Sequence, residues 1–166
     1  MTQRIVVMGV SGCGKSSVGA ALSQALGIPY RDGDDLHPAV NVARMRAGEA
    51  LTDADRWPWL ERVAQDLARL APVIVGCSAL RRVYRDRIRA GAGGPVLFVH
   101  LAGSREVIAA RMAARSGHFM PASLLDSQFA TLEPPGPDEA AITVDINQPL
   151  DRQVAEILRR LELRDR

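Results

Sequence analysis

Residues 9 to 16 read Gly9-Val10-Ser11-Gly12-Cys13-Gly14-Lys15-Ser16, with Ser17 next, a complete match to the phosphate-binding pattern G-x-x-x-x-G-K-[ST]. Glycines at these spacings allow backbone turns that side chains would block, so successive N–H groups can converge on an anion. A helix opening at Gly14 adds unpaired N–H groups and the positive end of its dipole. In such a loop Lys15 serves the β- and γ-phosphates, and the Ser16 hydroxyl coordinates Mg²⁺. Lys15 is the only lysine among 21 basic residues, which suits a compact point charge at that spot. A thiol at a helix N-terminus favours nucleophilic behaviour, so Cys13 is expected to be open to alkylation, with bound nucleotide protecting it.

Four further groupings carry chemistry. Asp32-Gly33-Asp34-Asp35 puts two carboxylates at i and i+2 with glycine between. Asp32 can hold Mg²⁺ through water while Asp34 accepts a proton from a substrate hydroxyl. Arg56 lies among both tryptophans, Trp57 and Trp59, and its fork can clamp a carboxylate. Arg81 follows Cys77-Ser78-Ala79-Leu80 and is the candidate nearest a strand end for an anionic substrate. Arg111 and Arg115, four apart, share a helix face beside Ser116-Gly117-His118, which suits a mobile lid over residues 116–133 that brings positive charge onto a phosphoryl group. The three histidines lack metal-ligand spacing, and His100 reads as a core residue.

The elements that must position these groups alternate. Arg4 to Met8 reads as a buried strand running into the phosphate loop, and Val18, Ala21, Leu22, Ala25 and Leu26 recur at helical spacing after it. Further strands are predicted at 27–31, 73–77, 96–101 and 141–146, with helices at 39–48, 53–70, 81–89, 104–115, 124–132 and 150–161. Asp53 is the predicted cap of the third helix. The pattern predicts an α/β, three-layer fold with a five-stranded parallel sheet, its ligands at the carboxyl ends of the strands, the acidic turn on a strand beside the loop, and one domain over residues 1–166. The strand at 73–77 ends without an acidic residue, which disfavours an ordinary ATPase or GTPase and leaves Asp32 as the substitute for the metal.

Composition narrows the partners. The chain has 166 residues, 47% apolar and 24% charged, with a net charge of +2 and acids and bases interspersed. That balance points to a small anionic ligand rather than nucleic acid. No apolar run approaches membrane length, the first strand begins within five residues, and the two cysteines form no disulfide framework, so a cytoplasmic protein is expected.

Nearly the whole chain resembles the bacterial-type gluconokinases, small phosphate-loop kinases similar in build to shikimate kinase. The resemblance rests on the phosphate loop, Asp32-Gly33-Asp34-Asp35-Leu36-His37-Pro38, Asn41, Asp55-Arg56, Cys77-Ser78-Ala79-Leu80, Tyr84-Arg85-Asp86, Gly117-His118-Phe119, Gln128-Phe129 and Gln148-Pro149. It implies transfer of phosphate from ATP to the 6-hydroxyl of D-gluconate, dependence on Mg²⁺ and a homodimer. Asp32 then matches a metal-water carboxylate, Asp34 the base, Arg56 the carboxylate clamp and Arg115 the lid arginine. His37 and Ser78 fall with the substrate, and Gln148 and Pro149 where the adenine pocket closes. Arg81-Arg82 replaces the lysines usual in that family. Two other readings stay open: a kinase for another small acid or a nucleotide, and a nucleotide-binding regulator that transfers nothing.

Overall fold

The computed structural model describes residues 3–114 and 122–165. Strands β1 (Arg4–Met8), β2 (Tyr30–Asp32), β3 (Val73–Gly76), β4 (Leu97–Ala102) and β5 (Ala141–Asp145) form one parallel sheet in the order β2-β3-β1-β4-β5. The helices are α1 (Lys15–Leu26), α2 (Ala39–Arg46), α3 (Asp53–Leu70), α4 (Arg82–Gly91), α5 (Arg105–Ala114), α6 (Ala122–Thr131) and α7 (Leu150–Arg164), with a 3₁₀ turn at Gly33–Leu36.

Alternation along each central strand builds two cores, because both faces of a parallel sheet are covered. Ile5 and Val7 face α1, α5 and α7 through Val18, Leu22, Ile108 and Ile157. Val6 and Met8 face α3 and α4 through Trp59, Leu60, Val63, Tyr84 and Ile88. The expected three layers follow directly from that division.

Three local expectations are corrected. Gly27 belongs to α1 as its left-handed C-cap, at φ 70°, so β2 starts at Tyr30. The cap of α3 is Thr52, whose hydroxyl accepts from the Asp55 N–H while the Asp55 carboxylate accepts from the Thr52 N–H. Asp53 is thereby freed for another task. β2 does not neighbour β1, since β3 lies between them. The acidic turn therefore reaches the phosphate loop across the end of β3.

That order divides the ligand-facing edge. β1 delivers the phosphate loop at the centre, β3 and β2 bring Ser78 and the aspartate turn on one side, and β4 and β5 lead to α5 and the Gln148 region on the other.

Candidate active site

The phosphate loop needs its glycines for two different reasons. Gly14, at φ 100°, takes the left-handed cap of α1, a conformation costly for other residues. A Cβ on Gly12 would meet the Met112 side chain at 2.6 Å, so this glycine lets α5 pack onto the loop. Lys15 Nζ donates to the carbonyls of Gly9 and Val10 at 3.0 and 3.1 Å, which keeps its charge at the loop mouth. Val10 and Cys13 point into the core at 2% and 1% exposure. The buried Cys13 corrects the expectation of an open, alkylatable thiol. Ser16 and Ser17 are exposed. Burial pushes the Tyr30 hydroxyl up to about 12, so it stays protonated beside Ser16.

Asp32 caps the 3₁₀ turn by accepting the Asp34 N–H at 2.9 Å. Burial pushes the Asp32 carboxyl up, the charges of Asp34 and Asp35 add to that, and the Asp34 N–H and Lys15 pull against it. A divalent cation would relieve this crowding of negative charge. Among the described residues no group of three or more His, Cys, Asp or Glu side chains could hold a metal. A hydroxyl at Ser16 and a carboxylate at Asp32 still suit Mg²⁺, which keeps several waters and binds through few protein oxygens plus phosphates.

A cavity of about 160 Å³ opens beside this turn, and Lys15, Asp34, His37, Arg56 and Ser78 all line it. Ser78 is held at the loop because its carbonyl accepts the Gly9 N–H at 3.2 Å. The next residue, Ala79, has φ 45°, a left-handed conformation costing about 1–2 kcal/mol for a non-glycine residue. The fully buried Arg85 donates to the Ala79 carbonyl at 2.9 Å and forms a fork with Glu139 at 2.7 and 3.0 Å. Burial opposes ionisation of Glu139, but hydrogen bonds from Arg85 and Arg89 outweigh it and hold the carboxyl at about 2.

Asp53 gathers the arginines. Arg81 pairs with it at 2.7 Å, the Tyr84 hydroxyl donates to it, and Arg56 lies 3.6 Å from it while donating to the Tyr84 hydroxyl at 3.0 Å. Arg56 thus faces the cavity from a braced position. Arg81 does not line the cavity; its charge is directed at Asp53, with Glu133 at 3.8 Å.

Sequence reasoning assigned no site role to three residues found here. The Trp59 indole lines the cavity, stacks on His37 at 4.0 Å and donates to the Gly33 carbonyl. Asn41 is buried behind His37. Gln128 of α6 accepts the Ser11 N–H at 2.7 Å and donates to the Ser11 hydroxyl at 3.1 Å, so the helix that closes the predicted lid grips the phosphate loop. The signals available were the clustering of both tryptophans near Arg56 and the place of Asn41 and Gln128 among the residues that carry the family resemblance. On the other side of the loop, Arg111 donates to the Ile146 carbonyl and Gln148 to the Asp145 carbonyl at 2.7 Å, with Pro149 capping α7. Arg115 and His118 lie outside the described residues.

A family model described as an AAA domain matches residues 5–135. The chain is 44% identical over 165 residues to a gluconokinase of Gluconobacter oxydans (strain 621H), covering 97% of this chain and 92% of the relative. The chain belongs to the gluconokinase family. The thermoresistant gluconokinase of Escherichia coli (strain K12) is likewise 44% identical, with 92% of this chain and 90% of that relative covered. A crystal structure of a gluconokinase from Sinorhizobium meliloti 1021 superposes with a TM-score of 0.88 at 48% identity, covering 99% and 98% of the two chains. Membership in the gluconokinase family makes this chain a phosphate-loop kinase, and the five-stranded parallel sheet agrees with that fold.

Proposed function

We propose that the protein transfers the γ-phosphoryl group of ATP to the 6-hydroxyl of D-gluconate, giving 6-phospho-D-gluconate and ADP. One observation carries this reading. A single cavity presents the phosphate-loop lysine, a free-standing carboxylate and a braced guanidinium together, as Lys15, Asp34 and Arg56. Those groups match the phosphate, the reacting hydroxyl and the carboxylate of a sugar acid.

In the reaction the bond from the bridging oxygen to the γ-phosphorus breaks, the bond from O6 of gluconate to that phosphorus forms, and the hydroxyl proton passes to Asp34. Lys15 and the loop N–H groups hold the phosphates, and Arg56 takes the gluconate carboxylate bidentately. Ser16 and Asp32 would hold Mg²⁺, which supplies neutralisation of charge on the β- and γ-phosphates. His37 and Ser78 offer hydrogen bonds to the polyol. Because the transition state is loose, positioning and charge stabilisation outweigh proton removal.

No helix among the described residues is long and apolar enough to cross a membrane. The sequence resemblance supports a homodimer working in the cytoplasm, which sedimentation of the purified protein and cell fractionation test. The substrate assignment is tested by ADP release with MgATP and a panel of D-gluconate, shikimate, glucose and nucleoside monophosphates. Release stimulated by gluconate above the others is expected, and no rise with gluconate refutes the assignment.

A further inference from the structure

His37 is 8% exposed, stacks on Trp59 and lines the cavity, yet its two ring nitrogens stand in different surroundings. Nδ1 lies 3.2 Å from the Asn41 amide nitrogen. The same amide nitrogen donates to the Asp55 backbone carbonyl at 2.8 Å. A backbone carbonyl only accepts, so the amide group must turn its NH₂ toward Asp55, and that same NH₂ is what meets His37. An amide NH₂ has no lone pair to offer, so Nδ1 must be the acceptor. The proton of the neutral ring then resides on Nε2, which has no partner among the described residues.

We propose that Asn41 is a positioning residue that fixes His37 as a neutral Nε2–H donor to a hydroxyl oxygen of the sugar-acid chain, making the pair a specificity element for a polyol. This rests on the substrate reading above and adds the hydrogen-bond direction and its cause. Both amide hydrogens of Asn41 are spent, and with Asn41 itself 1% exposed, its orientation is set by the fold before substrate arrives. α2 supplies the asparagine, α3 the anchoring carbonyl and the stacking indole, and the turn after β2 supplies the histidine. A charged imidazole here would have to abandon the Asn41 contact and face Arg56. Burial first, and the Arg56 charge second, hold the ring down at about 4, in agreement with that geometry.

A site built to donate a hydrogen bond to a hydroxyl discriminates strongly against analogues that lack it. His37→Phe keeps a flat ring, slightly larger, against Trp59 and removes both ring nitrogens. His37→Phe is expected to raise the KM for gluconate about tenfold, the usual scale for one buried hydrogen bond, with the KM for ATP unchanged. Asn41→Leu is expected to raise the gluconate KM similarly, because the ring loses its tautomeric bias.

The deciding measurement is NMR of the imidazole nitrogens in the wild-type protein at pH 7, with the His37 signals identified by their loss in His37→Phe. The Nε2–H tautomer for His37, turning to a mixture in Asn41→Leu, supports the proposal. An Nδ1–H tautomer or a protonated ring in the wild type overturns it, even where Asn41→Leu fails to fold. A gluconate KM unchanged in His37→Phe also overturns it. Absence of any turnover on gluconate by the wild type refutes the substrate reading instead, while the tautomer still decides what Asn41 does.

Discussion

The Trp59 indole Nε1 donates a 2.7 Å hydrogen bond to the Gly33 carbonyl, tying α3 to the residue that separates Asp32 from Asp34. The same indole stacks on His37, so one side chain sets both the acidic turn and the imidazole. Trp59→Phe keeps an aromatic ring but leaves that buried carbonyl without its donor, a loss of about 1–3 kcal/mol. The expected result is a fall in kcat/KM for gluconate of about tenfold or more, with the KM for ATP unchanged. Steady-state kinetics with each substrate varied separately checks it.

Lys15→Ala removes the loop's side-chain cation, while the backbone N–H groups remain. Negative charge shifts most during transfer, so a loss of turnover of order 10²-fold or more is expected. Lys15 also satisfies the Gly9 and Val10 carbonyls, so circular dichroism must show an unchanged fold before the rates are compared.

Both cysteines are shut inside the sheet's cores, with Cys13 1% and Cys77 0% exposed. Burial also pushes the Cys77 thiol up to about 12. The native protein is expected to resist iodoacetamide at both positions and to react at both once unfolded in urea. Mass spectrometry of the native and unfolded samples decides it.

His100 sits in β4 at 3% exposure, and burial first, then the Arg85 charge, lowers it from the ordinary 6.5 to about 4. Its pKa is depressed in the folded state, so its contribution is complete above pH 6.5 and is lost as the pH falls toward 4, where the unfolded chain binds a proton the folded one refuses. The scale is up to about 3 kcal/mol. His37 acts with the same sign, so His100→Asn should remove only part of the fall in Tm between pH 6.5 and 4. Glu139 adds a further loss only as pH drops from 4.5 toward 2. Calorimetric Tm against pH for the wild type and His100→Asn measures the difference.

The sequence spoke clearly where the physics is local. Glycine spacing defines the phosphate loop because each turn is made by its own residues, and uninterrupted apolar runs mark strands covered on both faces. It was silent where chains far apart meet. Nothing in the run from Gly27 to Asp32 says that β3 will insert beside β1, since that pairing depends on how β3 is covered by α3 and α4. Asp53 looked like a helix cap because its neighbour Thr52 offers the same chemistry; only the packing of α3 on α4 brings Arg81 and Tyr84 to it. The place of Arg81 near a strand end suggests an anionic substrate, whereas its guanidinium pairs with Asp53, a contact between α4's start and α3 that local sequence does not show. Asn41 and Trp59 are each anchored on a backbone carbonyl, a partner that every residue offers, so the sequence marks their presence but not the contacts they make.

The cavity beside the phosphate loop is proposed as the place where a gluconate hydroxyl takes the phosphoryl group, with Asp34 accepting its proton. Asp32→Asn and Asp34→Asn, assayed with ATP, Mg²⁺ and gluconate each titrated separately, test this most directly. Asparagine still caps the turn that Asp32 closes, so the first variant changes charge more than structure. Asp32→Asn is expected to raise the Mg²⁺ concentration needed for turnover. Asp34→Asn should cut kcat by roughly 10²-fold with nucleotide affinity unchanged. The same metal defect in both variants, or a near-normal kcat for Asp34→Asn with gluconate, would contradict it.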